Sequence, residues 1–274
     1  MGRSRLPVAI LAIEGTNCDR ELAVALRALG TAPEVVHLKQ FSGDVRPTAR
    51  RRLSDYAALF LPGGFSAGDY VRAGAILAAR MRASIGPELE EFVRSGRMVA
   101  GICNGFQVAI ELGLLPGTPG GRLGPAEAAL IANDSGRFEC RPTFVAWTGG
   151  RFPPLDGVPA GTRYLFPSAH GEGKLVLAGG KARRLELEQD GQLLFRWVRP
   201  DGGPATYPWN PNGSEGDAAG LTNRDGNVFG LMPHPERSFF RDQAPDWTRS
   251  GSIAGYGDGK AFLERVVGYA ERHG

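Results

Sequence analysis

The stretch "GICNGFQ" at 101–107 sets one cysteine between two glycines, each two residues away. Gly-x-Cys-x-Gly is the spacing of a nucleophile elbow. That is a tight strand-to-helix turn whose crowded backbone admits only small flanking residues and pushes the nucleophile into open space. A helix N-terminus also favours the thiolate, which is the attacking form. Cys103 is therefore the candidate nucleophile. Cys18 and Cys140 lack such a frame and read as buried structural thiols.

A cysteine nucleophile wants a base, and the chain has 4 histidines. His37 falls in a predicted inner strand and reads as a satisfied core or strand-end residue. His273 stands one residue from the C-terminus. His170, in "PSAHGEG", is expected in a loop and stays open as a candidate. His234 follows the short apolar run "NVFGLM" and precedes Pro235 and Glu236. Residues two apart in an extended segment face the same way, so Glu236 is placed to hold the imidazole tautomer. An oxyanion hole at an elbow takes the amide after the nucleophile and one from a neighbouring strand's loop. Asn104 supplies the first. Gly64, in "PGGF", offers the second, although Gly63–Gly64 reads equally well as a plain turn. Gln107 lies four residues after Cys103 on the same helical face. There it either meets the amino-acid head of a substrate or is a solvated helix residue.

These residues need a scaffold. "PVAILAI" (7–13), "PEVVHLK" (33–39), "YAALFLPGG" (56–64) and "RMVAGI" (97–102) read as strands. "DRELAVALRALG" (19–30) and "NGFQVAIELG" (104–113) read as helices, and residues 74–96 read as a helix interrupted at Gly86–Pro87. Alternation of this kind predicts a parallel sheet covered by helices, with its site at the carboxyl ends of the strands. After Pro116 the pattern changes. "RFECRPTFVAWT", "KLVLAG", "RRLELEQ" and "QLLFRWVR" predict antiparallel strands; a short strand then leads into "MPHPE", and "GKAFLERVVGYAER" closes as an amphipathic helix. The reading is one α/β domain over 1–274 carrying a β-rich excursion.

Composition excludes several classes. The net charge of +3 over 274 residues does not point to nucleic acid, and the basic run "RPTARRRL" at 46–53 has no interleaved aromatics for stacking, so it reads as a solvated helix face. Gly 40 and Pro 20 imply many turns. Three scattered cysteines without C-x-x-C argue against a disulfide framework or a zinc motif and fit a reducing cytoplasm. The N-terminal "MGRSRLPVAILAIEG" is too short in its apolar part for a secretory leader, and Leu6 breaks the myristoylation pattern. No apolar run approaches the ~20 residues of a membrane span.

"GICNGFQ" and "LMPHPERS" together resemble the class I glutamine amidotransferases, in which a Cys–His–Glu triad hydrolyses glutamine. "GTNCDRE", "PGGFSAGDYVRAGAI", "GRFECR", "AHGEG", "NPNGS" and "GLTNRDGNVFGLMPHPER" are further similar to the glutaminase subunits of phosphoribosylformylglycinamidine synthase, from residue 7 to about 240. The resemblance implies a flavodoxin-like, mostly parallel sheet flanked by helices. It implies Cys103 as nucleophile, His234 as base and Glu236 as its orienter, with Gln107 and the His170 loop lining a pocket for L-glutamine. It also implies a synthetase partner and a small third subunit. The chain has no G-x-x-x-x-G-K-[ST] loop. ATP, magnesium and the formylglycinamide ribotide acceptor are therefore expected on the partner, with no cofactor or metal in this chain. Segments 118–127 and 243–260 look longer than this family requires. Two other readings share the elbow: a free-standing cysteine amidase, and a non-catalytic thiol sensor or chaperone-like protein. The His-Pro-Glu turn favours an enzyme, since a sensor thiol needs no base.

Overall fold

The structure, a computed structural model, describes residues 5–117, 120–249 and 253–274. Residues 1–4, where the leader and lipidation readings begin, and parts of 118–127 and 243–260 lie outside the described residues. The first half alternates as expected: β1 (Pro7–Ala12), α1 (Asp19–Ala28), β2 (Ala32–His37), a short α2 (Leu38–Ser42), β3 (Ala58–Leu61), α3 (Ala75–Arg94), β4 (Met98–Ile102) and α4 (Asn104–Glu111). The second half holds β5 (Ala128–Ala132), β6 (Glu139–Trp147), β7 (Arg163–His170), β8 (Glu172–Leu177), α5 (Gly180–Gln189), β9 (Leu193–Val198), β10 (Ala218–Thr222), β11 (Val228–Leu231) and α6 (Asp258–His273).

Among the described residues nine strands form one sheet in the order β2-β1-β3-β4-β11-β10-β9-β6-β7, and β5 and β8 pair separately. The first five run parallel, in flavodoxin-like order. The other four are antiparallel and continue the same sheet. β3 and β4 are buried along their whole length, as strands covered on both faces must be. In register, Leu61 faces Gly101 and Ile102 faces Leu231. The turns after β3, β4 and β11 therefore open side by side at one edge. The sheet also coils, so that its far strand returns to that edge. The amide of His234 donates to the carbonyl of Pro167 on β7 at 2.8 Å.

Several expectations need correction. "RRLELEQ" is not a strand but most of α5. Its Leu185–Leu187 alternation mimics period 2, yet Leu187 is buried and Leu185 exposed. Helix-spaced pairs Arg183–Glu186 and Arg184–Glu188 support the helix instead. α3 is not interrupted at Gly86–Pro87. It passes through Pro87 because Met81, Ile85, Leu89, Phe92 and Val93 keep one apolar face on the sheet, which outweighs one lost backbone hydrogen bond. The run at 46–53 holds one short 3₁₀ turn, Pro47–Ala49, and meets a second at Leu53, with Arg51 bound to Glu34, rather than a helix face. His37 ends an edge strand, not an inner one, and its Nδ1 accepts from the Lys39 amide to cap α2. His170 ends a strand and does not sit in a loop. Cys140 is exposed, not buried. Strands β5, β7 and β10 add to those the sequence predicts. Among the described residues no helix is long and apolar enough to cross a membrane.

α6 packs into the core through Phe262, which is fully buried. Its ring lies 5.6–5.8 Å from those of Phe229, Phe195 and Phe166. Phe262→Ala should therefore cost about 3–5 kcal/mol of stability. Urea unfolding that shows less than about 1 kcal/mol of loss would mean that α6 is held elsewhere.

Candidate active site

Cys103 stands between β4 and α4 at φ 53° and ψ −107°, a left-handed conformation that a non-glycine residue adopts only under constraint. The flanking glycines explain how the turn closes. A β-carbon on Gly105 would stand 1.8 Å from the carbonyl oxygen of Leu61, and one on Gly101 would stand 2.5 Å from that of Gly105. The first turn of α4 therefore rests on the backbone of β3, which side chains at these positions would prevent. The Cys103 thiol is 5 % exposed and points to the carbonyl of Ala169 at 3.5 Å.

His234 and Glu236 follow β11, both about 1 % exposed. Nδ1 of His234 and Oε1 of Glu236 lie 2.6 Å apart. Nε2 has no hydrogen-bond partner among the described residues. Burial pushes the imidazole pKa down. The Glu236 carboxylate, then Cys103 and Cys18, outweigh that and hold it well above its ordinary value. The site thus favours an imidazolium beside a sulfur. His170 is also buried, with Nδ1 3.1 Å from Oδ1 of Asn133. Burial first, and then the charge of His234, lower its pKa to about 3. At neutral pH it is an uncharged, feeble base. His170 lies close enough to His234 to feel its charge, and the two buried imidazoles differ in the form their surroundings favour.

Both expected oxyanion donors are free by geometry. Asn104 is the first residue of α4, where an amide has no intrahelical acceptor. Gly64 faces Thr16 in an isolated antiparallel bridge, closed by the amides of Phe65 and Asn17 bonding Gly15 and Gly63. In that pattern the amide of Gly64 itself points away from Thr16. The Asn104 side chain ties the two loops together: Oδ1 accepts from the Ser66 amide at 3.2 Å, and Nδ2 donates to Gln107 Oε1 at 2.9 Å. Gln107 Nε2 in turn donates to the Glu172 carbonyl at 2.6 Å. Gln107 is therefore a buried brace between α4 and β8, with both ends of its amide engaged, and not a solvated residue.

Two further residues lie against these groups and are not picked out by the sequence. Cys18 is 1 % exposed but belongs to the site. A β-carbon on Gly63 would stand 2.9 Å from its sulfur, 2.7 Å from Cε1 of His234 and 3.4 Å from Cβ of Cys103. Gly63 is the small residue around which all three converge. Arg237 Nη2 donates to the Cys18 sulfur at 3.2 Å. The signal was available, because Cys18 follows β1 at the same strand edge, but nothing local connects it to His234. The second is Asp69, in a loop where Ala67, Gly68 and Asp69 are all left-handed. Burial first, and then nearby Glu172, push its pKa up to about 6.

Asp69 holds its proton more tightly folded than unfolded. Its contribution to stability is complete below about pH 4 and fades as pH rises through about 6. Asp69→Asn tolerates the same left-handed backbone and should flatten that slope. Denaturant unfolding of both proteins across this window measures it. Parallel pH profiles would remove Asp69 from the account.

Comparison with known proteins gives this geometry a family. The model of the CobB/CobQ-like glutamine amidotransferase domain matches residues 5–269. A phosphoribosylformylglycinamidine synthase subunit PurQ of Archaeoglobus fulgidus is 45% identical, over 99% of this chain and 100% of its own length. The PurQ of Picrophilus torridus is 43% identical, over 84% of this chain and 86% of its own. Among solved structures, a chain of PurLQS from Thermotoga maritima superposes with a TM-score of 0.70 at 31% identity, covering 97% of this chain and 99% of that one. The chain belongs to the glutamine amidotransferases and, within them, to the PurQ glutaminase subunits of phosphoribosylformylglycinamidine synthase, an enzyme of purine biosynthesis.

Proposed function

We propose that Cys103, His234 and Glu236 carry out the glutaminase reaction in this chain. The observation that supports this most is the left-handed cysteine at the head of α4, beside a buried His–Glu pair. The Cys103 thiolate attacks the side-chain carboxamide carbon of L-glutamine. The oxyanion that forms is held by the amides of Gly64 and Asn104, whose dipoles are fixed before the reaction begins. His234, charged by its neighbours, passes its proton to the departing nitrogen, and ammonia leaves. A γ-glutamyl thioester remains on Cys103. His234, now neutral, takes a proton from water, the hydroxide attacks the thioester carbonyl, and glutamate and the thiolate are released. Glu236 keeps Nδ1 protonated throughout, so that Nε2 does the transfer. Gln107 holds the Asn104 end of the oxyanion site against β8, and His170 lies neutral beside the same pocket.

The ammonia is consumed elsewhere. We infer a synthetase partner that binds ATP, magnesium and formylglycinamide ribotide, and a third small subunit in the assembly. The composite name PurLQS of the similar Thermotoga maritima structure supports an assembly of several components. The three free cysteines fit a reducing, cytoplasmic setting.

The division of labour is testable. Cys103→Ala, assembled with its synthetase, should lose glutamine-dependent product by at least about 10³-fold. It should keep product formation from ammonium salt, because the second half-reaction does not use the thiol. Equal loss with both nitrogen sources, in a complex shown to be assembled, would contradict a purely glutaminolytic role for Cys103.

A further inference from the structure

Cys18 is a buried thiol that the reaction above does not use. Its sulfur, an imidazole nitrogen of His234 and a carboxylate oxygen of Glu236 all lie within 4.8 Å of one another, and all three residues are buried. Oε2 of Glu236 and Nε2 of His234 are buried without hydrogen-bond partners among the described residues. A thiolate, an imidazole and a carboxylate in one buried cluster form a ligand set for a borderline-soft divalent cation. The chain contains no zinc spacing; these groups meet only because the turns after β1 and β11 open at the same sheet edge.

We propose that Cys18, His234 and Glu236 form an inhibitory binding site for Zn²⁺ or a similar thiophilic divalent ion. Tetrahedral zinc, with bonds of about 2.0–2.3 Å, holds its ligand atoms roughly 3.5 Å apart, so side-chain shifts of about 1 Å close the set. Cys18 loses its proton on binding, as any ligating thiol does. The charges then balance: one cation of charge +2 meets a thiolate and a carboxylate. Arg237, which now donates to the Cys18 sulfur, keeps Glu21 as its partner at 3.3 Å. Arg237, whose Nη2 reaches the Cys18 sulfur, also lines a cavity of about 270 Å³ together with Ser168, Ala169 and Ser238. Inhibition follows whichever nitrogen is taken. Ligation of Nε2 removes the lone pair that moves protons, and ligation of Nδ1 breaks the bond to Glu236 that orients the ring. That consequence rests on His234 being the base; the binding itself does not.

The test uses the purified full chain with Co²⁺ and Zn²⁺ as probes. One Co²⁺ per chain should bind with a thiolate-to-cobalt charge-transfer band. The band should persist in Cys140→Ser and Cys103→Ala, and affinity should fall by more than about 100-fold in Cys18→Ser. X-ray absorption of zinc-loaded Cys103→Ala should still show one sulfur neighbour, which keeps the test decisive if Cys18→Ser does not fold. Zn²⁺ should inhibit the wild-type glutaminase, and a chelator should reverse it. No binding, a band that survives Cys18→Ser, or a sulfur lost with Cys103 would overturn the proposal. Binding at Cys18 with undiminished glutaminase would overturn the inhibitory role and remove His234 as the base.

Discussion

A cysteine at φ 53° sits in a backbone region that costs a side-chain-bearing residue about 1–3 kcal/mol, and the rest of the site depends on that strain being held. It is held from two sides. The first turn of α4 rests on the carbonyl of Leu61, and β4 is clamped between β3 and β11 in a fully buried parallel register. The same contact that forces the turn brings the loop after β3 next to the thiol. Strain at Cys103 and the nearness of Gly63 are thus one structural fact. The Asn104 side chain completes the link by bonding the Ser66 amide.

Electrostatics then separates two histidines of similar burial. His234 has a carboxylate at 2.6 Å and sulfurs around it, so its charged form survives desolvation. His170 has only the neutral amide of Asn133 and feels the charge of His234, so its charged form does not survive. Burial alone would push both pKa values down. The partner decides which imidazole can carry a proton.

Much of this was legible because it is local. The elbow is a pentapeptide, and His-Pro-Glu is a tripeptide; each sits where an apolar run ends. The parallel half was legible from strand–helix alternation, and the site edge follows from the connectivity. What the sequence concealed is non-local or ambiguous in period. Residues 180–189 carry a two-residue alternation of leucine that helix-spaced ion pairs override. β7 contains Pro167, which discourages a strand reading but is tolerated at a sheet edge, where its carbonyl accepts from His234. Cys18 reads as an ordinary buried thiol until Gly63 shows three side chains converging on one point. The convergence depends on tertiary packing between turns far apart in the chain.

We propose acyl transfer through the strained thiol of Cys103 and not through its buried neighbour Cys18. The direct measurement is acid quench of the assembled enzyme during turnover of glutamine, followed by peptide mass mapping of all three cysteines. A γ-glutamyl group is expected on the peptide holding Cys103, with Cys18 and Cys140 unmodified. A γ-glutamyl group on Cys18 would contradict it.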